Sequence, residues 1–142
     1  MAWETDESEE FDAWFDTLSL DDQQHVTAAL EYLRREGPMA KMPLSRPIRQ
    51  PNRCAMKELR PASEGRTEFR ILYAFDYRRT GLLLLGGDKA GNWTTWYNSN
   101  VPVADGIFSR MVKQAKKDEE ERARSAGARP PASTDRPRRR RR

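Results

Sequence analysis

The sequence predicts an α/β chain of the α+β kind, in which an N-terminal helical hairpin packs on a small antiparallel sheet and a C-terminal helix follows. Three observations carry that expectation. Apolar residues recur at helical spacing over the first 36 positions, apolar runs alternate or continue between positions 54 and 85, and a further apolar stripe follows Pro102. The 142 residues suffice for one compact domain and not for two.

Phe11, Trp14, Phe15 and Leu18 recur at i, i+3, i+4 and i+7 and define the first helix. Ser19 can cap a second, with Asp22 three residues on, and Val26, Ala29, Leu30 and Leu33 repeat the stripe until Gly37 and Pro38 stop it. His25 lies beside that stripe and reads as a structural histidine. Four prolines between positions 38 and 51 make the next stretch a long loop with room for a short strand.

Positions 54–60 read as a first strand, ended by Pro61. Positions 68–76 read as a second, with Phe69, Ile71, Tyr73 and Phe75 on one face and Arg70, Leu72 and Ala74 on the other. Positions 77–81 turn the chain into a third strand at 82–85, apolar on both faces, which completes an antiparallel meander. The glycine-rich stretch 86–92 matches neither GxxxxGK[ST] nor GxGxxG and reads as a turn rather than a phosphate cradle. Positions 93–97 read as an edge strand or an ordered loop. A last helix starts near Pro102, places Val103, Ile107, Met111 and Ala115 on one stripe, continues as a charged extension through Glu121 and ends past Ser125. Residues 1–117 are thus the domain, and residues 118–142 a charged helical extension and a disordered arginine-rich tail.

Charge is segregated along the chain. Residues 1–33 hold ten acids and no Lys or Arg, residues 34–117 hold 17 bases against seven acids, and residues 118–142 hold nine arginines against five acids. These blocks are either independently solvated surfaces, or an acidic helical layer backing a basic sheet whose potential attracts RNA or DNA. A single cysteine, Cys54, forms no internal disulfide, and with one histidine it offers no metal-ligand spacing, so disulfide scaffolds and zinc modules are excluded. No stretch reaches the roughly 18 apolar residues of a membrane helix, and the acidic start MAWETDESEE is unlike a signal peptide, which makes the chain read as cytoplasmic. Ser-His-Asp sets and nucleophile elbows are missing too.

Basic and aromatic residues remain. Glu58 and Arg60 share a face of the first predicted strand, Arg70 projects opposite the aromatic row of the second, and Lys89, Trp93, Trp96 and Tyr97 follow the third. Arginines grip phosphate bidentately and aromatic rings stack on bases, which together can build a metal-free ribonuclease. The structural alternative pairs Arg60 and Arg70 with Glu58, Glu68 or Asp88 and puts the tryptophans in the core.

The words FDAWF at 11–15, MKELRP at 56–61, FRILYAFD at 69–76, LLGGDK at 84–89 and WTTWY at 93–97 come in an order that resembles the RelE/ParE toxin superfamily. Within it, the resemblance is closest to the HigB-like toxins of type II toxin-antitoxin systems and covers roughly residues 3–113. It implies a RelE-like fold, a cognate antitoxin with a helix-turn-helix DNA-binding domain, and ribosome-dependent cleavage of mRNA by a metal-independent endoribonuclease, without a cofactor. It also implies roles. Arg70 would contact the scissile phosphate, Arg60 and Lys89 would stabilise its charge, and Tyr97 would be the acid for the leaving oxygen. Glu58 stands where relatives carry a base lysine and is the candidate base, with Lys57 the reserve on the opposite face. Lys57, Trp93 and Trp96 would contact RNA. The resemblance also implies an N-terminal strand ahead of the hairpin, abbreviated here because after Trp3 ETDESEE replaces the apolar alternation of relatives. The competing class is an interaction protein, either a ParE-like topoisomerase inhibitor or a degenerate toxin that binds only its antitoxin.

Overall fold

The computed structural model describes residues 2–63 and 65–128. Strand β1 (Thr5–Glu7) leads into helices α1 (Glu9–Asp16) and α2 (Leu20–Glu36), and a 3-10 turn (Gly37–Met39) follows. Strands β2 (Ser45–Pro47), β3 (Lys57–Leu59), β4 (Phe69–Phe75) and β5 (Gly81–Asp88) come next, and α3 (Trp93–Ala128) completes the described chain. The five-stranded sheet has the order β1-β5-β4-β3-β2.

Local signals set the helical hairpin. Ser8 caps α1 by accepting from Phe11 N at 2.9 Å, and its own hydroxyl donates to Leu84 O at 2.7 Å, which fastens the helix start to the sheet. Ser19 caps α2 through Asp22 N, and Gly37 ends it at a positive φ of 57°. Gly37 is also required sterically, because a Cβ there would lie 2.4 Å from the Trp3 ring.

The sheet lies between two apolar layers. On the hairpin side Phe11, Val26, Leu30 and Leu33 pack against Leu59, Ile71, Tyr73 and Leu83. On the other side Val101, Ala104 and Ile107 of α3 pack against Met56, Leu72, Leu82 and Leu84. Strand β5 is therefore buried on both faces, as its continuous leucine run requires. A bulge where Leu72 pairs Leu85 and Tyr73 pairs Leu83 turns both Leu84 and Leu85 toward α3.

Several sequence expectations are corrected. The sheet is mixed rather than wholly antiparallel, since β1 pairs parallel with β5. Strand β3 has three residues instead of seven: Asn52 Oδ1 accepts from Met56 N at 2.9 Å and Ala55 takes a φ of 55°, so the chain before Lys57 is curled. Strand β5 extends through both glycines to Asp88, because Gly86 and Gly87 make room for Trp14 and Trp96. Residues 93–97 are helical, and α3 starts nine residues before Pro102, which sits inside it. Val103 faces solvent while Val101 and Ala104 hold the buried stripe with Ile107 and Ala115. Helix α3 runs past Ser125 to Ala128, and the remaining part of the expected tail, 129–142, lies outside the described residues. Among the described residues no helix is long and apolar enough to cross a membrane.

Candidate active site

Strand pairing builds the site on the α3 face of the sheet. Glu58 sits at the centre of β3, directly opposite Arg46 on β2 and Leu72 on β4. Side chains alternate along a strand, so Glu58 points toward α3 while Lys57 and Leu59 point toward the hairpin. Lys57 accordingly donates to Pro38 O at 3.2 Å, on the far side from Glu58.

Glu58 is fully buried and receives two hydrogen bonds: Arg46 Nε donates to Oε2 at 2.6 Å, and Tyr97 Oη donates to Oε1 at 2.5 Å. Arg70 Nε lies 3.8 Å from Oε1, an ion pair too long for a hydrogen bond, while another guanidinium nitrogen donates to Phe69 O at 2.8 Å. Two arginines and a phenol from three elements thus converge on one carboxylate. Arg70 is only 7% exposed, and its Nε has no hydrogen-bond partner in the described structure.

Lys89 follows β5 and is enclosed. Its Nζ lies 3.4 Å from the centre of the Trp93 ring, 5.9 Å from that of Tyr97 and 3.3 Å from Glu68 Oε1, a contact without hydrogen-bond geometry. Trp93 itself is exposed and covers Lys89 from solvent. Trp96 is half-buried, packed edge-on against Tyr97 and against the backbone of Gly87, where a Cβ would come within 2.8 Å of its Nε1.

The electrostatics follow from this enclosure. Burial, together with the Glu58 carboxylate, pushes the Tyr97 phenol above its ordinary pKa, so it stays protonated. Burial and the adjacent Arg70 charge pull the Lys89 ammonium below its ordinary range, against the attraction of Glu68. Glu58 raises Arg46 further.

Of the residues singled out from sequence, Glu58, Arg70, Lys89, Trp93, Trp96 and Tyr97 come together. Arg60 does not join them: its backbone N–H donates to Leu44 O at 2.9 Å, and its half-buried side chain enters none of the contacts described for this cluster. Lys57 is on the other face. Arg46 is the residue that sequence reasoning missed. It lies in a stretch that four prolines mark as loop, and only the β2–β3 register brings it opposite Glu58.

A mixed sheet with helices on both faces, carrying an enclosed Arg-Glu-Tyr-Lys cluster beneath its last helix, defines a small α+β protein of the RelE-like kind. The chain belongs to the family described as phage derived protein Gp49-like (DUF891), whose model matches residues 13–109 and so takes in the whole cluster. It is 41% identical over 114 residues to a Mycobacterium tuberculosis protein named "Putative toxin HigB2", a match covering 80% of this chain and 56% of that protein. It is 48% identical over 92 residues to "Putative toxin HigB3" of the same organism, covering 65% of this chain and 78% of that one. The chain thus spans little more than half the length of the first relative.

Proposed function

We propose that the protein is the toxin of a type II toxin-antitoxin system and acts in the cytoplasm as a metal-independent endoribonuclease on mRNA in the ribosome, held in check by a helix-turn-helix antitoxin. The observation that carries this reading is the convergence of Arg46, Arg70 and Lys89 with the Tyr97 phenol on one face of the sheet. The names of its HigB relatives support the toxin assignment.

In this reading the 2'-hydroxyl of the substrate attacks the adjacent phosphate, the O2'–P bond forms as the hydroxyl proton passes to solvent water, and the P–O5' bond breaks. Arg46 and Arg70 stabilise the negative charge that grows on the phosphoryl oxygens, Lys89 adds to it once Trp93 is displaced, and protonated Tyr97, once its hydroxyl turns from Glu58 to the substrate, supplies the proton to the leaving 5'-oxygen. Lys57 faces away and Glu58 is enclosed, so orientation and charge stabilisation carry most of the rate enhancement.

The test is cleavage of a translated mRNA in a ribosome-containing extract. Wild type should cut only during translation, and Arg70→Ala, with an unchanged circular dichroism spectrum, should lose about 10²- to 10³-fold. Intact mRNA alongside persistent toxicity and arrested DNA replication would replace the nuclease by a topoisomerase inhibitor. A neighbouring gene for a small helix-turn-helix protein is the expected genomic companion.

A further inference from the structure

We propose that Glu58 is a positioning residue, a buried anion that holds the Tyr97 hydroxyl and the Arg46 and Arg70 guanidinium groups to one point, and is not the group that takes the substrate's proton. This rests on the ribonuclease reading of the site but concerns the arrangement of the site itself.

Access is the first argument. A general base must reach the proton it removes, at roughly 2.6–3.2 Å between heavy atoms. Glu58 has no exposed surface, and each of its oxygens already accepts a short hydrogen bond, from Arg46 and from Tyr97. Its backbone lies in the interior of the sheet, paired with Arg46 on one side and Leu72 on the other, which sets the carboxylate beneath its partners and away from the solvent-exposed edge. Within the four-residue set only Arg46 has substantial side-chain exposure, at 36%, against 9% for Arg70.

Charge is the second. Arg46 and Arg70 both face Glu58 closely, and Lys89 also feels its charge. The carboxylate therefore stands as the common counter-ion of cations drawn from β2, β4 and the end of β5. The same carboxylate does three useful things as an anion. It offsets mutual repulsion of the cations, it aims Arg46 from the edge strand toward the rest of the set, and it ties the start of α3 to the sheet through Tyr97.

Two measurements separate positioning from proton transfer. In spectrophotometric titration of tyrosinate absorbance, with Tyr97→Phe used to identify the Tyr97 signal, Glu58→Gln should move Tyr97 ionisation to lower pH, because a neutral amide no longer penalises the phenolate. Glu58→Asp keeps the charge and guards against a Gln variant that does not fold. Its carboxylate is one methylene further from Tyr97, so the signal should move in the same direction by less. An unmoved Tyr97 titration in folded variants would overturn the proposal. In single-turnover cleavage, the acid limb of the pH–rate profile should have the same midpoint in wild type and in the Gln variant, and selective loss of that limb would make Glu58 the base. If wild type cleaves nothing, the ribonuclease reading fails, and the tyrosine titration still tests whether the Glu58 charge holds the Tyr97 hydroxyl.

Discussion

Replacing Gly86 by alanine tests whether the Gly-Gly pair of β5 serves packing rather than phosphate binding. An ideal Cβ at Gly86 would lie 2.2, 2.4 and 2.7 Å from Cε3, Cζ3 and Cδ2 of Trp14. Carbon atoms rest at about 3.5–4.0 Å, so the indole must retreat by more than about 1 Å. It has little freedom to do so: Phe69 meets it edge-on with centroids 5.6 Å apart, and Phe11 lies against it at 5.8 Å. Gly86 has no positive φ, so the penalty is steric rather than conformational. Overpacking a confined ring costs about 1–3 kcal/mol, and for a chain of this size that lowers the melting temperature by about 3–12 °C. Differential scanning calorimetry should show this fall. In a double-mutant cycle, Trp14→Leu should recover at least about 1 kcal/mol of the Gly86→Ala loss. A Gly86→Ala protein melting within about 1 °C of wild type, or an additive double mutant, would refute the packing argument.

Asp76→Ala should cost about 2–3 kcal/mol and abolish amide-exchange protection of the β4–β5 turn, because Asp76 accepts from Arg78 N, Thr80 N and Arg78 Nε at 2.8–3.0 Å; retained protection would show that the turn holds without it. Trp93→Ala should change the melting temperature little, since the ring is 57% exposed, yet should open Lys89 to acylating reagents mapped by mass spectrometry. Unchanged labelling of Lys89 would mean that Trp93 is not its cover. Burial and the Asp105 carboxylate push the Cys54 thiol up to about 12, so at pH 8 it should alkylate about a thousandfold more slowly than an ordinary exposed thiol, and Asp105→Asn should speed it. Alkylation at the ordinary rate would contradict the enclosure of that side chain.

The helical hairpin was legible because its signals are local. Ser19 and Gly37 mark the ends of α2 within one turn, and the stripe of Val26, Ala29, Leu30 and Leu33 faces the sheet as its spacing requires. The start of α3 was not legible, since proline is common in a first helical turn and Pro102 imitates one. The true start depends on distant residues. Gly87 gives Trp96 its place on the sheet, and Asn92 O receives Trp96 N at 2.7 Å, so the aromatic segment winds into helix over the cluster. Tertiary contact overrides the propensity that aromatic residues show for strands.

The same division between local and long-range information explains the site. Arg70 could be assigned a face from the alternation of β4 alone, and Lys57 could be separated from Glu58 by the pleat, because each needs only a period of two. What Glu58 does could not be read that way. Its partners come from residues 46, 70 and 97, brought together by the β2–β3 register, the β3–β4 register and the packing of α3. Three separate assembly steps must succeed before the carboxylate is enclosed, and sequence spacing records none of them. The edge strand shows the cost of missing one. Read as proline loop, residues 45–47 contribute nothing, whereas paired with β3 they deliver the most exposed cation of the Glu58 set. Pro47 lacks an N–H and the Ser45 N–H is spent on Lys41 O, so this strand also ends the sheet on that side. The prolines that hide β2 from sequence reasoning therefore help to hold Arg46 at a sheet edge open to solvent, where a cation that must meet a polyanion has to be.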